Sequence, residues 1–240
     1  HIFPKMVIDC SGDSFVGFAA GAKYRQGREA KAEFNESLAP EESDSCVLGS
    51  SLYFRAVDVG HPVKFTPPDW ADRIDESMFV NRNHQDITNG YWWLECGGDM
   101  DTVCDNEEIY KKLLKILYGI WDHIKNGGGH GADNFAIEWI SSIPAKRESR
   151  RLIGDHILTE GEILAHSTFP DGVAYSGGNV DLHPIKGFYS GNEPSGGRHG
   201  IISPGLYQIP LRCLYSQNIE NLLMAGRNIS VSHVALSSTR

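Results

Sequence analysis

The chain has 240 residues, of which 40% are hydrophobic, so it is long enough to bury the core of one large or two small domains. Its formal net charge of −9 argues against a nucleic-acid partner, because such binding depends on Lys and Arg side chains that neutralise phosphates. The five cysteines lack paired spacing and predict no disulfide framework. The apolar runs are shorter than the ~20 residues that cross a bilayer, so we expect a soluble protein without a membrane segment.

Short apolar segments near both ends predict two buried, parallel strands. Residues 5–9 form the first strand signal, and the polar residues 10–13 follow it as a turn. Residues 219–225 repeat the pattern, and Gly226 begins the turn that follows. Because these strands lie far apart in the sequence, they predict a domain that is split by an inserted segment.

The inserted segment is predicted to be α+β, mainly an antiparallel sheet with helices. Aromatic and β-branched content indicates strands over residues 52–57, 91–95 and 135–140. A long helix is indicated by Asp105 as a possible N-cap and by apolar residues at helical spacing over 109–124, ending at the glycines 127–129. Shorter helical features are predicted over residues 147–153 and 159–162, and a loop over residues 187–205.

The two terminal turns are the first candidates for a binding site. A glycine directly after a parallel strand lets a ligand approach the backbone, and the carboxyl ends of parallel strands are where open α/β sheets bind nucleotides. Gly12 and Asp13 alone are more often only a turn, since short motifs give many false matches. Gly226, followed by Arg227 and Asn228, repeats the arrangement and favours a nucleotide site.

Four segments carry a resemblance to a known family: residues 9–13, 147–151, 209–214 and 221–240. The last reads NLLMAGRNISVSHVALSSTR and is the most specific. The chain resembles the FAD-dependent oxidoreductases that are related to glutathione reductase and fumarate reductase in their flavin domain. That family has Ala-Thr-Gly-Asp where this chain has Cys-Ser-Gly-Asp at residues 10–13.

The resemblance implies FAD as cofactor and hydride transfer between FAD and an unknown small-molecule substrate. It implies a split α/β FAD-binding domain, with residues 1–14 at its edge, 15–214 as the substrate or cap domain, and 215–240 as the return into it. The cofactor-binding residues that it implies are Gly12, Asp13, Gly226, Arg227, Asn228, Ser237 and Arg240.

One family feature is missing from the chain, namely the Gly-x-Gly-x-x-Gly turn that holds the pyrophosphate after a first strand. The glycines at 127–129 follow a helix instead, so we interpret them as a linker. We therefore expect an internal fragment of a longer flavoprotein that by itself binds FAD weakly or not at all and is inactive.

A basic cluster at residues 146–151 has two interpretations. It is a solvated helix face, or an anion site in which Arg147, Arg150 and Arg151 present guanidinium groups at i, i+3 and i+4. Glu148 is a candidate partner for one of them. With the family resemblance, Arg147 and Arg150 become candidate catalytic residues.

Histidines supply the candidates for proton transfer. His233 is the preferred one, although a structural role at the start of a helix is equally open. His183 forms an Asp-x-His pair with Asp181, but no third ligand follows at a recognisable spacing, so we predict no metal. His130 and His199 lie in glycine-rich loops and are predicted to be solvated.

Two other functions stay open at this point. The aromatic residues at positions 70, 91–93 and 139 would suit a carbohydrate-binding module, although core packing is the commoner role of such residues. A polysaccharide lyase is the second alternative, but it needs a positioned Tyr or His base, and no motif singles one out.

Overall fold

A computed structural model of the protein describes residues 3–191, 193 and 204–240. Within these residues the chain forms ten short strands, five α-helices and three 3₁₀ segments. The strands are β1 (Val7–Asp9), β2 (Tyr24–Arg25), β3 (Ser50–Ser51), β4 (Phe54–Asp58), β5 (Glu95–Cys96), β6 (Phe135–Ile140), β7 (Arg151–Leu152), β8 (Gly172–Ser176), β9 (Tyr207–Pro210) and β10 (Leu222–Met224). The helices are α1 (Phe15–Ala19), α2 (Lys31–Phe34), α3 (Asn106–Asn126), α4 (Glu160–Leu164) and α5 (His233–Thr239), and the 3₁₀ segments are Glu76–Phe79, Gly187–Ser190 and Leu211–Cys213.

The chain divides into two compact units. The first unit comprises the described residues within 1–48, 147–182 and 199–240, and the second unit those within 49–146 and 183–198. Residues 15–48 and 147–182 thus belong to the same unit as β1. Because an intervening stretch of the chain forms the second unit, the first unit is discontinuous in sequence.

The first unit contains the parallel pair that the sequence predicted. Strands β1 and β10 run parallel, with Val7 opposite Leu222 and Asp9 opposite Met224. The prediction that both strands are buried holds only in part, because Ile8 is 61% exposed. Strands β2 and β7 pair antiparallel, as do β8 and β9. The described residues form no larger parallel sheet, so they show an α+β arrangement rather than a complete α/β nucleotide-binding domain.

The core of the first unit joins apolar side chains from distant parts of the sequence. They come from β7, β10, α4, α5 and the segments between them, and the fully buried members include Leu158, Ile163, Cys213, Ala235 and Leu236. The helical feature predicted over residues 159–162 is confirmed here, and α5 also has a capping residue. Helix α4 begins with a capping box between Thr159 and Glu162, and α5 begins at Ser232, whose side chain accepts a hydrogen bond from the Ala235 N–H.

The second unit is organised around α3, which confirms the predicted long helix. Its apolar stripe is almost completely buried and consists of Ile109, Leu113, Ile116, Leu117, Ile120 and Ile124. Glu107 and Glu108 lie in the first turn and Lys125 in the last, which suits the helix dipole. Asp105 is the N-cap residue, but its side chain does not cap the helix. No helix among the described residues has the length and apolarity needed to cross a membrane.

Two antiparallel pairs accompany α3 in the second unit. Strand β4 pairs with β6, which confirms the strands predicted over residues 52–57 and 135–140, and β3 pairs with β5. The strand predicted over residues 91–95 is wrong for most of its length. Tyr91 and Trp93 instead lie in a turn, with their rings stacked at 4.7 Å in the core, because burial of both rings outweighs strand propensity.

The helix predicted over residues 147–153 is also wrong. This segment contains β7, and its backbone N–H groups bond to distant parts of the chain, Leu152 N to Asn228 O and Ile153 N to Lys23 O. Helical spacing of charges is a weak local signal, and tertiary hydrogen bonds override it here. The loop predicted over residues 187–205 begins with a 3₁₀ segment, while residues 192 and 194–203, including His199, lie outside the described residues.

Candidate functional site

The carboxyl ends of β1 and β10 lie on the same side because the strands are parallel, and a glycine follows each of them. Gly12 has φ +77° and Gly226 has φ +100°, backbone conformations that side chains with a Cβ rarely adopt. We call the two segments that follow the strands, residues 10–13 and 226–230, the strand-end turns. The structure therefore brings together two stretches that are more than 200 residues apart.

Asp9 organises the first strand-end turn. Its Oδ1 accepts hydrogen bonds from the backbone N–H of Ser11 at 2.9 Å and from the Ser11 hydroxyl at 2.6 Å, while Oδ2 accepts from Gly17 N at 2.8 Å. Burial acts to raise the pKa of Asp9, but these hydrogen bonds outweigh it and the pKa lies below its usual range. The turn is thus held by an ionised carboxylate.

Asp13 and Arg227 join the two strand-end turns. Arg227 Nη2 donates to Asp13 Oδ1 at 2.9 Å, and the Ser149 hydroxyl donates to the same oxygen at 2.8 Å. A Cβ on Gly12 would lie 2.4 Å from the Arg227 guanidinium carbon. The absence of a side chain at Gly12 therefore makes room for Arg227. The sequence did not suggest this role for the glycine.

Three buried polar atoms in the second turn have no hydrogen-bond partner among the described residues: Arg227 Nε, Asn228 Oδ1 and Ser230 Oγ. Asn228 is fully buried and its Nδ2 donates to Asp9 O at 3.1 Å. An unpaired buried polar group costs roughly 1–3 kcal/mol, so native proteins keep few of them. Gly226 itself is exposed, so a ligand can approach its backbone, whereas these three atoms are closed off from solvent.

The N–H groups at the start of α5 are engaged by side chains. The His233 N–H donates to Glu29 Oε2 at 2.8 Å, and the Ala235 N–H donates to Ser232 Oγ at 3.0 Å. A carboxylate from another part of the chain already faces this helix end. Ser237 donates to Val234 O within the helix, and Arg240 pairs with Asp181 Oδ2 at 3.0 Å. Neither contact joins these two predicted residues to the strand-end turns.

A buried ion network lies beside α5. Glu148 Oε2 accepts from Leu48 N and contacts His233 Nδ1, both at 2.8 Å. Arg151 approaches Glu148 Oε1 at 3.5 Å and donates to Glu29 Oε1 at 3.0 Å. Burial acts to raise the pKa of Glu148, but the positive charges of His233 and Arg151 outweigh it and lower the pKa. The sequence named Glu148 as an arginine partner, whereas no local pattern marked Glu29.

The arginines of the basic cluster are not a solvated helix face. Arg150 is 8% exposed and lies over the Phe18 ring, with 3.9 Å between the guanidinium carbon and the ring centroid. Arg151 is 1% exposed and belongs to the ion network. Arg147 is half-buried. Arg151 therefore has a structural role, whereas Arg147 and Arg150 remain candidates for binding a substrate.

Predicted residues in the second unit have other surroundings than expected. His183 Nδ1 contacts both carboxylate oxygens of the buried Glu95, at 3.0 and 2.9 Å. His130 is half-buried rather than solvated, and its Nε2 lies 3.1 Å from His123 Nε2. Among the aromatic residues, Trp70, Trp92 and Trp139 are about half exposed, at 49%, 45% and 52%.

The first unit thus brings together two parallel strand ends, each followed by a glycine with positive φ. A family model described as FAD dependent oxidoreductase matches residues 1–240. The chain belongs to this family, which confirms the resemblance seen in the sequence. Comparisons with curated proteins and with solved structures found no match.

Proposed function

We propose that this chain supplies part of the FAD-binding surface of an oxidoreductase that transfers a hydride between FAD and a small-molecule substrate. The observation that carries the proposal is the second strand-end turn, where the exposed Gly226 follows a parallel strand and has φ +100°. Membership of the FAD dependent oxidoreductase family supplies the identity of the ligand. When bound, FAD provides the hydride-accepting ring, and the protein provides position and electrostatics.

The proposed cofactor contacts begin at the strand-end turns. Gly226 allows close approach to the backbone. Asn228, which the family resemblance adds to the set, holds the two turns together through its Nδ2 hydrogen bond to Asp9 O. Gly12, Asp13 and Arg227 form the neighbouring wall, where the carboxylate of Asp13 offsets the charge of Arg227. The family resemblance adds Ser237 and Arg240 to the proposed set.

The proposed proton-transfer residue is His233. Glu148 accepts a hydrogen bond from its Nδ1 at 2.8 Å, which fixes the orientation of the ring and leaves Nε2 as the nitrogen that exchanges a proton. This is the arrangement by which a carboxylate orients a histidine base. Arg147 and Arg150 are the proposed anion-binding residues, as the family resemblance implies, and Arg151 has a structural role between two buried carboxylates.

One set of variants in the full-length protein tests both parts of the proposal. Gly226→Val is expected to abolish flavin retention, measured as flavin absorbance per mole of purified protein. Gly21→Val is the matched control, because Gly21 has a similar φ of +78° and no atom within 4 Å of an added Cβ. Both variants carry similar backbone strain, roughly 1–3 kcal/mol, but only one lies at a strand end.

In the same set, Arg147→Lys and Arg150→Lys are expected to keep the flavin and to slow its reduction by substrate, because lysine keeps the charge and loses the bidentate geometry. Full flavin content in Gly226→Val contradicts the cofactor placement. Parental reduction rates in both arginine variants contradict the anion-binding roles. The 240-residue chain alone is expected to retain less than one FAD per chain, since it has no Gly-x-Gly-x-x-Gly turn.

A further inference from the structure

Four side chains with metal-ligating atoms converge in the second unit, away from the strand-end turns in sequence. Glu76 lies in the 3₁₀ segment Glu76–Phe79, His84 in the loop that follows, His123 in the last turn of α3, and His130 in the glycine-rich segment after α3. One ligand atom from each lies within 4.8 Å of the other three. We call these four residues the histidine cluster.

Three separations within the histidine cluster are close to those between ligands of a small tetrahedral ion. Glu76 Oε2 lies 3.0 Å from His123 Nε2 and 3.4 Å from His84 Nε2. The two ring nitrogens His123 Nε2 and His130 Nε2 are 3.1 Å apart. Tetrahedral zinc sites have bonds of about 2.0–2.1 Å to nitrogen and oxygen, which places neighbouring ligand atoms roughly 3.3 Å apart.

His84 provides an independent indication of a missing ligand. The residue is only 4% exposed, and its buried Nε2 makes no hydrogen bond among the described residues, because the Glu76 Oε2 atom at 3.4 Å lies outside hydrogen-bond geometry. Its Nδ1 lies 3.1 Å from Arg82 O, a carbonyl that accepts the ring proton and so leaves the lone pair on Nε2. Metal-ligating histidines are typically oriented by such a bond from the other ring nitrogen.

The charge and the walls of the histidine cluster also suit a cation. Among the described residues, Glu76 pairs with two imidazoles and with no lysine or arginine, so its negative charge is not already neutralised. The Phe79 ring packs against His84 and His123, with centroid distances of 4.0 and 4.8 Å, and forms an apolar wall. The Glu76 side chain is 73% exposed, which leaves a route from solvent.

We propose that Glu76, His84, His123 and His130 form a binding site for a divalent cation of the zinc class. Three imidazoles and one carboxylate are the nitrogen and oxygen donors that zinc accepts. Four protein ligands leave no open position, which assigns the ion a structural role. It ties the 3₁₀ segment and its loop to the end of α3 and the glycine-rich segment.

This site replaces the expectation that the chain holds no metal. The ligands are spaced irregularly along the sequence, at positions 76, 84, 123 and 130, and match no short zinc motif. The glycine-rich segment, interpreted as a linker, instead carries one of the proposed ligands.

Zinc binding to the intact protein tests the proposal. The protein is stripped with a chelator, dialysed, given Zn²⁺ and assayed by mass spectrometry for metal per chain and by calorimetry for affinity. The variants are Glu76→Gln, whose exposed side chain makes misfolding a small risk, and His130→Ala, whose ligand is half-buried. His61→Ala is the control, since His61 is an exposed histidine of the same unit outside the cluster.

One zinc per chain is expected in the wild type and in His61→Ala. Loss of a residue that only supports a metal ligand already weakens metal binding roughly 10–100-fold. The zinc affinity of each ligand variant is therefore expected to fall at least about tenfold. No retained zinc in the wild type, or equal affinity in all four proteins, overturns the proposal. Flavin content of the same samples does not enter this test, so the result stands apart from that on the cofactor site.

Discussion

Each unit of the protein holds a histidine against a glutamate, but the two arrangements differ in what surrounds the carboxylate. In the first unit, Glu148 is fully buried, contacts His233 at 2.8 Å and lies beside Arg151. In the second unit, Glu76 contacts His123 at 3.0 Å, but its side chain is 73% exposed. The same pair of residue types therefore belongs to a fully buried ion network in one unit and to the partly exposed histidine cluster in the other.

The difference lies in the arginine. A buried carboxylate is tolerated where cations and hydrogen bonds compensate its desolvation, and Arg151 provides this for both Glu29 and Glu148. The histidine cluster has imidazoles in place of the arginine, and an imidazole offers a lone pair as well as a proton. A cluster with lone pairs and one carboxylate attracts a cation, whereas a cluster with its own guanidinium does not.

The largest expected effect comes from removing that arginine. Arg151→Met leaves Glu29 and Glu148 buried without their guanidinium partner and is expected to lower the free energy of unfolding by about 3–5 kcal/mol, measured by urea denaturation. Arg212→Met is the matched control, because Arg212 pairs with Asp171 at the surface with 40% of its side chain exposed. That loss is expected to be much smaller, because solvent screens a surface ion pair. Equal losses in the two variants would mean that the buried network is no more important than a surface pair.

An intermediate effect is expected from the cation proposed for the second unit. Free Zn²⁺ at 100 times its dissociation constant is expected to raise the free energy of unfolding of the wild type by about 2.7 kcal/mol. In Glu76→Gln the same zinc concentration is expected to give a clearly smaller gain, because one ligand is lost. The measurement is urea denaturation with zinc and with chelator, and a gain of equal size in the variant would assign the stabilisation to another site.

The smallest effect is a difference in pH dependence between two buried glutamates of the first unit. The folded-state pKa of Glu148 is lowered, since His233 and Arg151 outweigh burial, so its contribution to stability is present above about pH 4.5 and is lost as the pH falls. The folded-state pKa of Glu36 is raised, mainly by burial, so stability is lost as the pH rises above the same value.

Unfolding free energies of Glu148→Gln and Glu36→Gln, measured from pH 3 to pH 8 (~5 pH units around the ordinary carboxyl pKa), check this prediction. Glu148→Gln is expected to reduce the loss of stability that the wild type shows as the pH falls below the ordinary carboxyl pKa. Glu36→Gln is expected to reduce the loss of stability that the wild type shows as the pH rises above that pKa. Identical profiles in the two variants would show that the environments of the two carboxylates do not differ as described.

Much of the fold could be predicted from local patterns. The apolar stripe of α3 repeats at helical spacing, the segments that became β1 and β10 are apolar runs followed by glycine turns, and the capping box at Thr159 marks the start of α4. The final twenty residues carried the family resemblance. In each of these cases the physical determinant lies within one short stretch of chain, so sequence periodicity or turn chemistry is sufficient.

The tertiary structure alone decided which distant side chains meet. The segment around Arg151 forms a strand rather than a helix because its backbone and the Arg151 guanidinium bond to groups near residues 23–29 and 228. The residues next to Arg151 in the sequence do not indicate these partners. Gly12 makes room for Arg227, and His84 reaches His123 and His130 across the second unit. Burial, charge compensation and ligand geometry depend on separations in space, and a pattern along the chain does not record them.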